Sequence, residues 1–127
     1  MDDLRSVLQK HGFSFKKQFG QNFLTDTNLL RAIVSDAGVD ENTTVLEIGT
    51  GAGALTRALS EQAKRVVSFE IDRSLQPVLS ETLSGCENTE VRFQDFAKCS
   101  LPALERELGT YRVVANLPYY VTTPIVI

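Results

Sequence analysis

The sequence predicts an α/β fold built on a doubly wound parallel sheet, and three observations carry that prediction. Strand-like segments at 45–48, 65–70, 89–94 and 111–115 alternate with segments of helical pattern, the order that a parallel sheet with crossover helices requires. The first run breaks into Gly49-Thr50-Gly51-Ala52-Gly53 and then resumes in helix formers. That is how a chain leaves a strand, turns tightly over a ligand and enters a helix. Each run also ends in a side chain able to bind a polar group, namely Glu47 with the glycine loop, Glu70, Asp95 and Asn116. Ligands of such sheets bind beyond the carboxyl ends of the strands, so the four tips are expected to share one crevice.

Composition narrows the function classes. A chain of 127 residues with 43% hydrophobic side chains is sized for one globular unit. Its formal net charge of −3 offers no overall basic footprint, so a nucleic-acid partner would have to be met locally. Cys86 and Cys99 stand 13 residues apart with no C-x-x-C pair, and His11 is the sole histidine. Zinc is therefore not expected, no other metal is implied, and free thiols of a reducing compartment are. No leader-like N-terminus and no apolar run of membrane-spanning length are visible, which predicts no membrane association and a cytoplasmic protein.

Taken in order, residues 3–10 have weak helical periodicity through Leu4, Val7 and Leu8, and Gly12 stops them. Residues 10–24 then carry three lysines and four phenylalanines and no acid. Lys16, Lys17 and Phe19 in this arm are candidates for RNA contact, because lysines interleaved with aromatics suit a phosphate backbone with stacked bases. The alternative is an arm that buries its phenylalanines under the domain. The chain thus divides into a basic, aromatic N-terminal arm over 1–25 and the sheet domain over 26–127. Leu29, Leu30, Ile33, Val34 and Ala37 predict an amphipathic helix over 26–37 that ends at Gly38. Further helices are expected over 55–62, over 73–83 with Pro77 in or near the first turn, and over 102–108 before Gly109. Thr123-Pro124 reads as an N-cap and first-turn proline opening a helix.

The chemistry of the tips points to a cofactor. Gly49, Gly51 and Ala54 satisfy the permissive dinucleotide spacing G-x-G-x-x-[GA], which alone is weak. Glu47, two residues before the first glycine, would repel a diphosphate by about 1 kcal/mol or more at close range. It suits a cationic ligand, and S-adenosylmethionine, with an ammonium and a sulfonium beside an adenosine, is the leading candidate. Glu70 lies 19 residues beyond Gly51, the spacing that brings an acid to the neighbouring strand tip to accept both hydroxyls of a ribose. Asp95 is positioned to accept from an adenine amino group, with Phe96 as apolar surface; the alternative is a turn-forming aspartate. Asn116, Pro118 and Tyr119 together suggest a slot for a flat base bearing an exocyclic amine.

These motifs, in this order, resemble a known family over the whole chain. Phe19-Gly20-Gln21-Asn22-Phe23-Leu24, Leu46-Glu47-Ile48-Gly49-Thr50-Gly51-Ala52-Gly53-Ala54-Leu55-Thr56, Phe69-Glu70-Ile71-Asp72, Gln94-Asp95 and Asn116-Leu117-Pro118-Tyr119 are similar to those of the ribosomal RNA adenine N6,N6-dimethyltransferases. The basic lead at 12–17 and the tail at 119–124 resemble the small-subunit branch as found in Gram-positive bacteria. The resemblance implies a Rossmann-like, S-adenosylmethionine-dependent methyltransferase fold. It also implies dimethylation of two adjacent adenines near the 3′ end of small-subunit rRNA, in the immature 30S subunit. Carried over by position, cofactor contacts fall on Asn22, Leu24, Gly49, Glu70, Asp95 and Asn116, beside the loop residues Glu47 and Gly51. The target adenine would meet the Asn116 side chain, the Leu117 carbonyl, Pro118 and the Tyr119 ring. The family fold continues with further strands and a small helical domain. The chain therefore reads as an N-terminal fragment truncated after the fourth strand, with weak or no activity and an uncovered fourth-strand edge for self-association. Three alternatives stand beside this reading: a large-subunit rRNA adenine methyltransferase of the macrolide-resistance type, a nicotinamide oxidoreductase, and a noncatalytic cofactor-binding or folding fragment.

Overall fold

A computed structural model describes residues 27–116 and 122–126. The arm over 1–25, with its predicted short helix, lies outside the described residues. Among the described residues the chain runs α1 (Thr27–Asp36), β1 (Thr44–Ile48), α2 (Ala54–Gln62), β2 (Arg65–Phe69), a 3-10 turn (Arg73–Leu75), α3 (Gln76–Thr82), β3 (Thr89–Arg92), a second 3-10 turn (Phe96–Lys98), α4 (Leu101–Leu108), β4 (Arg112–Asn116) and β5 (Thr122–Val126).

The strands form one sheet in the order β3-β2-β1-β4-β5. The first four strands are parallel. Succession moves outward from β1 to β2 and β3 and then returns to the other side of β1 with β4, so the order reverses beside β1. In open sheets of this kind a ligand crevice forms at such a reversal, at the strand ends where the glycine loop leaves. Alternation along the strands explains the two faces. Val45, Val66 and Val114 pack with Leu30, Val34, Leu55 and Leu59 of α1 and α2. Leu46, Val67 and Val113 pack on the opposite face with Leu104, Leu108 and Tyr111 at α4. Burial on both sides is why the centres of β1, β2 and β4 read as apolar, while the edge strand β3 is only partly buried.

Two expectations are corrected. The helix expected over 73–83 is split, with a 3-10 turn before an α-helix that begins at Gln76 and carries Pro77 at its start. Proline cannot donate an N–H and crowds the carbonyl four residues back, so the regular helix starts around it. The helix opening at Thr123-Pro124 is instead strand β5, antiparallel to β4, with Val114 opposite Pro124 and Asn116 opposite Thr122. Thr122, Thr123, Ile125 and Val126 are β-branched and favour a strand, and a proline is tolerated on an edge. The sheet is consequently not cut after its fourth strand, and β4 is paired on both sides.

Candidate functional site

The glycine loop is held from below, and the described residues leave its upper side clear at Gly51. Gly49 N–H and Thr50 N–H both donate to the Phe69 carbonyl, at 2.8 and 3.3 Å, tying the loop to the end of β2. Gly51 adopts φ +57, and a Cβ built there would meet nothing within 4 Å among the described residues. Glycine at 51 thus serves the left-handed backbone and leaves open space over the loop. Gly53 differs. At φ +91 its Cβ would lie 2.8 Å from Thr82 Oγ1 and 2.9 Å from Leu79 Cδ2, so this glycine lets α3 pack against the start of α2.

Glu70 is brought to the loop, as the spacing predicts. Its Oε1 accepts from Gly51 N–H at 2.8 Å and its Oε2 from Asp72 N–H at 2.9 Å. Two main-chain donors fix a carboxylate that is 8% exposed, and each oxygen retains a lone pair able to accept from a ligand hydroxyl. Asp95 lies at the tip of the next strand and is exposed. Its Oδ1 accepts from Ala97 N–H at 2.9 Å, capping the 3-10 turn. The aspartate therefore performs the turn-forming task while its exposed carboxylate keeps capacity for a further donor.

Glu47 does not line the crevice, which corrects the expectation that its carboxylate faces the ligand. It is fully buried beneath the loop. Its Oε1 accepts from Ser68 Oγ at 2.6 Å and from Thr56 Oγ1, whereas Oε2 is enclosed without a partner among the described residues. Burial pushes its pKa up to about 7, opposed by the two hydroxyl donors and assisted by the nearby charge of Glu70. Phe96 also departs from expectation: its ring meets Phe69 edge-on at 5.4 Å and packs with the core on the α4 face. The exposed apolar side chain beside the tips is Ile71, at 71%, between Glu70 and Asp72. Sequence reasoning passed over Ile71, although an isoleucine directly after a strand-ending acid is a visible signal. It also passed over Ser68, the lone polar residue of β2 besides Arg65, which sits opposite Glu47 in the β1–β2 register.

Asn116 ends β4, beside β1 and at the same end of the sheet as the loop. Asn22, Leu24, Lys16, Lys17, Phe19, Leu117, Pro118 and Tyr119 lie outside the described residues. Among the described residues no three His, Cys, Asp or Glu side chains are grouped to hold a metal ion, and no helix is long and apolar enough to cross a membrane.

A family model described as ribosomal RNA adenine dimethylase matches residues 12–127. The ribosomal RNA small subunit methyltransferase A of Streptococcus pyogenes serotype M5 (strain Manfredo) is 51% identical over 125 residues, which is 95% of this chain and 43% of that protein. The chain thus spans less than half the length of the curated relatives it matches. Among solved structures, a dimethyladenosine transferase from Plasmodium falciparum superposes with a TM-score of 0.58 and 31% identity, over 72% of this chain and 32% of that one. The 23S rRNA methyltransferase ErmE gives 0.54 and 30%, over 71% of this chain and 46% of its own.

Proposed function

The chain belongs to the ribosomal RNA adenine dimethylase family, and from that premise we propose that it carries the cofactor-binding half of an enzyme that dimethylates N6 of two adjacent adenines near the 3′ end of small-subunit rRNA. The observation that carries the cofactor reading is the Gly51 N–H to Glu70 Oε1 hydrogen bond of 2.8 Å, which fixes an acid against a main-chain cradle. A vicinal diol presents two donors to one carboxylate, and the open space over Gly51 admits a ligand close to backbone. The residues described fit an adenosyl group. Glu70 would hold the ribose hydroxyls, Asp95 the adenine amine and Ile71 one face of the ring. Gly49 and Gly51 would leave room for the amino-acid portion, with Asn22 and Leu24 as further contacts.

S-adenosylmethionine, when bound, supplies a methyl group on a sulfonium that is already a strong electrophile. The protein's share is positioning and electrostatics. Asn116 and the Leu117 carbonyl would accept from the target N6–H groups, favouring a nitrogen whose lone pair is free to attack, with Pro118 fixing the turn. Tyr119 would stack on the extruded base, a contact of about 1 to 3 kcal/mol that offsets the cost of unstacking it. Lys16, Lys17 and Phe19 would meet the RNA backbone and bases. Small-subunit rRNA within the immature 30S subunit is the proposed substrate, and the 51% identity to a small-subunit enzyme favours it over the large-subunit alternative. The cytoplasm, where that substrate would be met, is the proposed location. The chain itself is proposed to bind cofactor, to transfer methyl groups weakly or not at all, and to self-associate along the β5 edge.

Calorimetric titration with S-adenosylmethionine, S-adenosylhomocysteine and a nicotinamide dinucleotide tests the reading. The first two are expected to bind and the third not to; a preference for the dinucleotide would overturn it. Residual methyl transfer should prefer small-subunit over large-subunit RNA and fall in Tyr119→Ala with cofactor affinity retained. The reverse RNA preference would favour the large-subunit reading.

A further inference from the structure

We infer that Thr50 and Ser68 are positioning residues, a relay of two buried hydroxyls that locks the glycine loop in its ligand-ready shape. Thr50 stands between Gly49 and Gly51, yet its side chain is fully buried, turned inward from a loop whose Gly51 Cβ position is clear of the described residues. Its Oγ1 lies 2.5 Å from Ser68 Oγ, and Ser68 Oγ lies 2.6 Å from Glu47 Oε1. Thr56 Oγ1, on α2, donates to the same Oε1.

The direction of the relay follows from donor counting. With Oε1 carrying no proton, the one hydroxyl hydrogen of Ser68 goes to that oxygen, so Ser68 accepts from Thr50. Thr50 to Ser68 to Glu47, with Thr56 closing from the other side, joins the loop, β2, β1 and α2 through side chains that water does not reach. Ser68 and Glu47 are direct neighbours across the β1–β2 pair, so the sheet register itself aligns the relay. The benefit falls on the next residue. Glycines at 49 and 51 both take positive φ, and such positions lose the most freedom on ordering. A fixed Thr50 side chain between them holds Gly51 N–H on Glu70 at 2.8 Å before any ligand arrives.

The inference rests on the cofactor reading of the loop, and its test separates the two. In the full 127-residue chain, Thr50→Val keeps the shape and removes the hydroxyl, and Thr50→Ser keeps the hydroxyl. Hydrogen exchange at the Gly51 amide is read without ligand, and affinity for S-adenosylmethionine by calorimetry. Thr50→Val should lower both amide protection and affinity by about 10-fold, the worth of one net buried hydrogen bond, and Thr50→Ser should restore both to within about 3-fold. Ser68→Ala should match Thr50→Val, and the double variant should lose no more than either single one, because the two hydroxyls act as one unit. Unchanged Gly51 protection in Thr50→Val, or failure of Thr50→Ser to restore it, overturns the relay whether or not the cofactor binds. Ser68→Ala supplies the same readout should the valine variant fail to fold. Normal relay behaviour without S-adenosylmethionine binding would instead overturn the cofactor reading.

Discussion

Glu70 and Glu47 are both acids near the glycine loop, and their environments divide the work between them. Glu70 is held by two main-chain donors at the crevice, so Glu70→Gln should weaken S-adenosylmethionine binding by about 10-fold or more, since hydrogen bonds to a charged group are worth about 1.5 to 3 kcal/mol. Calorimetry checks this, and binding as tight as the unaltered chain would remove Glu70 from the site. Glu47, buried beneath, instead links stability to pH. Its pKa rises from 4.5 to about 7 on folding, so the folded chain holds a proton that the unfolded chain has released between those values. The contribution is fully present below the unfolded value and is lost as pH rises through about 7, amounting to about 3 kcal/mol. Glu90 and Glu107, held below the usual carboxylate range by Arg92, act in the opposite sense and only in more acid solution. Denaturant midpoints should therefore fall from pH 5 to pH 7.5, and Glu47→Gln should flatten that slope; an unaltered slope in the variant would show that another group is responsible.

At the scale of elements, the three glycines of one loop are not interchangeable. Gly51→Ala meets open space and bears only the strain of φ +57, about 1 kcal/mol, but it puts a methyl group where the cofactor is proposed to lie. Gly53→Ala meets Thr82 and Leu79 inside 3 Å and should destabilise by about 2 kcal/mol or more. Thermal unfolding and cofactor titration should separate them: Gly51→Ala loses affinity with a near-native midpoint, and Gly53→Ala loses midpoint first. Equal loss of midpoint in both would mean that the space above Gly51 is not a ligand space. The spacing of glycines was visible in the sequence, but not this division of labour, because Leu79 and Thr82 belong to a helix that becomes a neighbour only on folding. The same holds for Asp72, whose carboxylate caps a 3-10 turn that has no hydrophobic period to reveal it, whereas the turn-forming role of Asp95 was open to the sequence as an alternative.

At the scale of the molecule, strand and helix alternation was legible because buried parallel strands are written as unbroken apolar runs, and both core faces follow from their alternation. What was not legible was β5. Thr122-Thr123-Pro124-Ile125-Val126 offers a helix-opening proline and a β-branched run at once, and the pairing with β4 decides between them. That pairing moves the open edge. Among the described strands the two edges are β3 and β5. β3 carries Glu90 and Arg92, engaged with Glu107 and Arg65 in an ion-pair network, and charge on an edge opposes pairing with another chain. β5 has no charged residue, and among the described strands its outer side has no partner. Association should therefore run through β5. Sedimentation velocity over a rising concentration series should show a dimer that Ile125→Lys abolishes and that Val91→Lys, on β3, leaves intact. A chain that stays monomeric throughout, or a dimer sensitive only to the β3 change, would show that the β5 edge does not pair between copies.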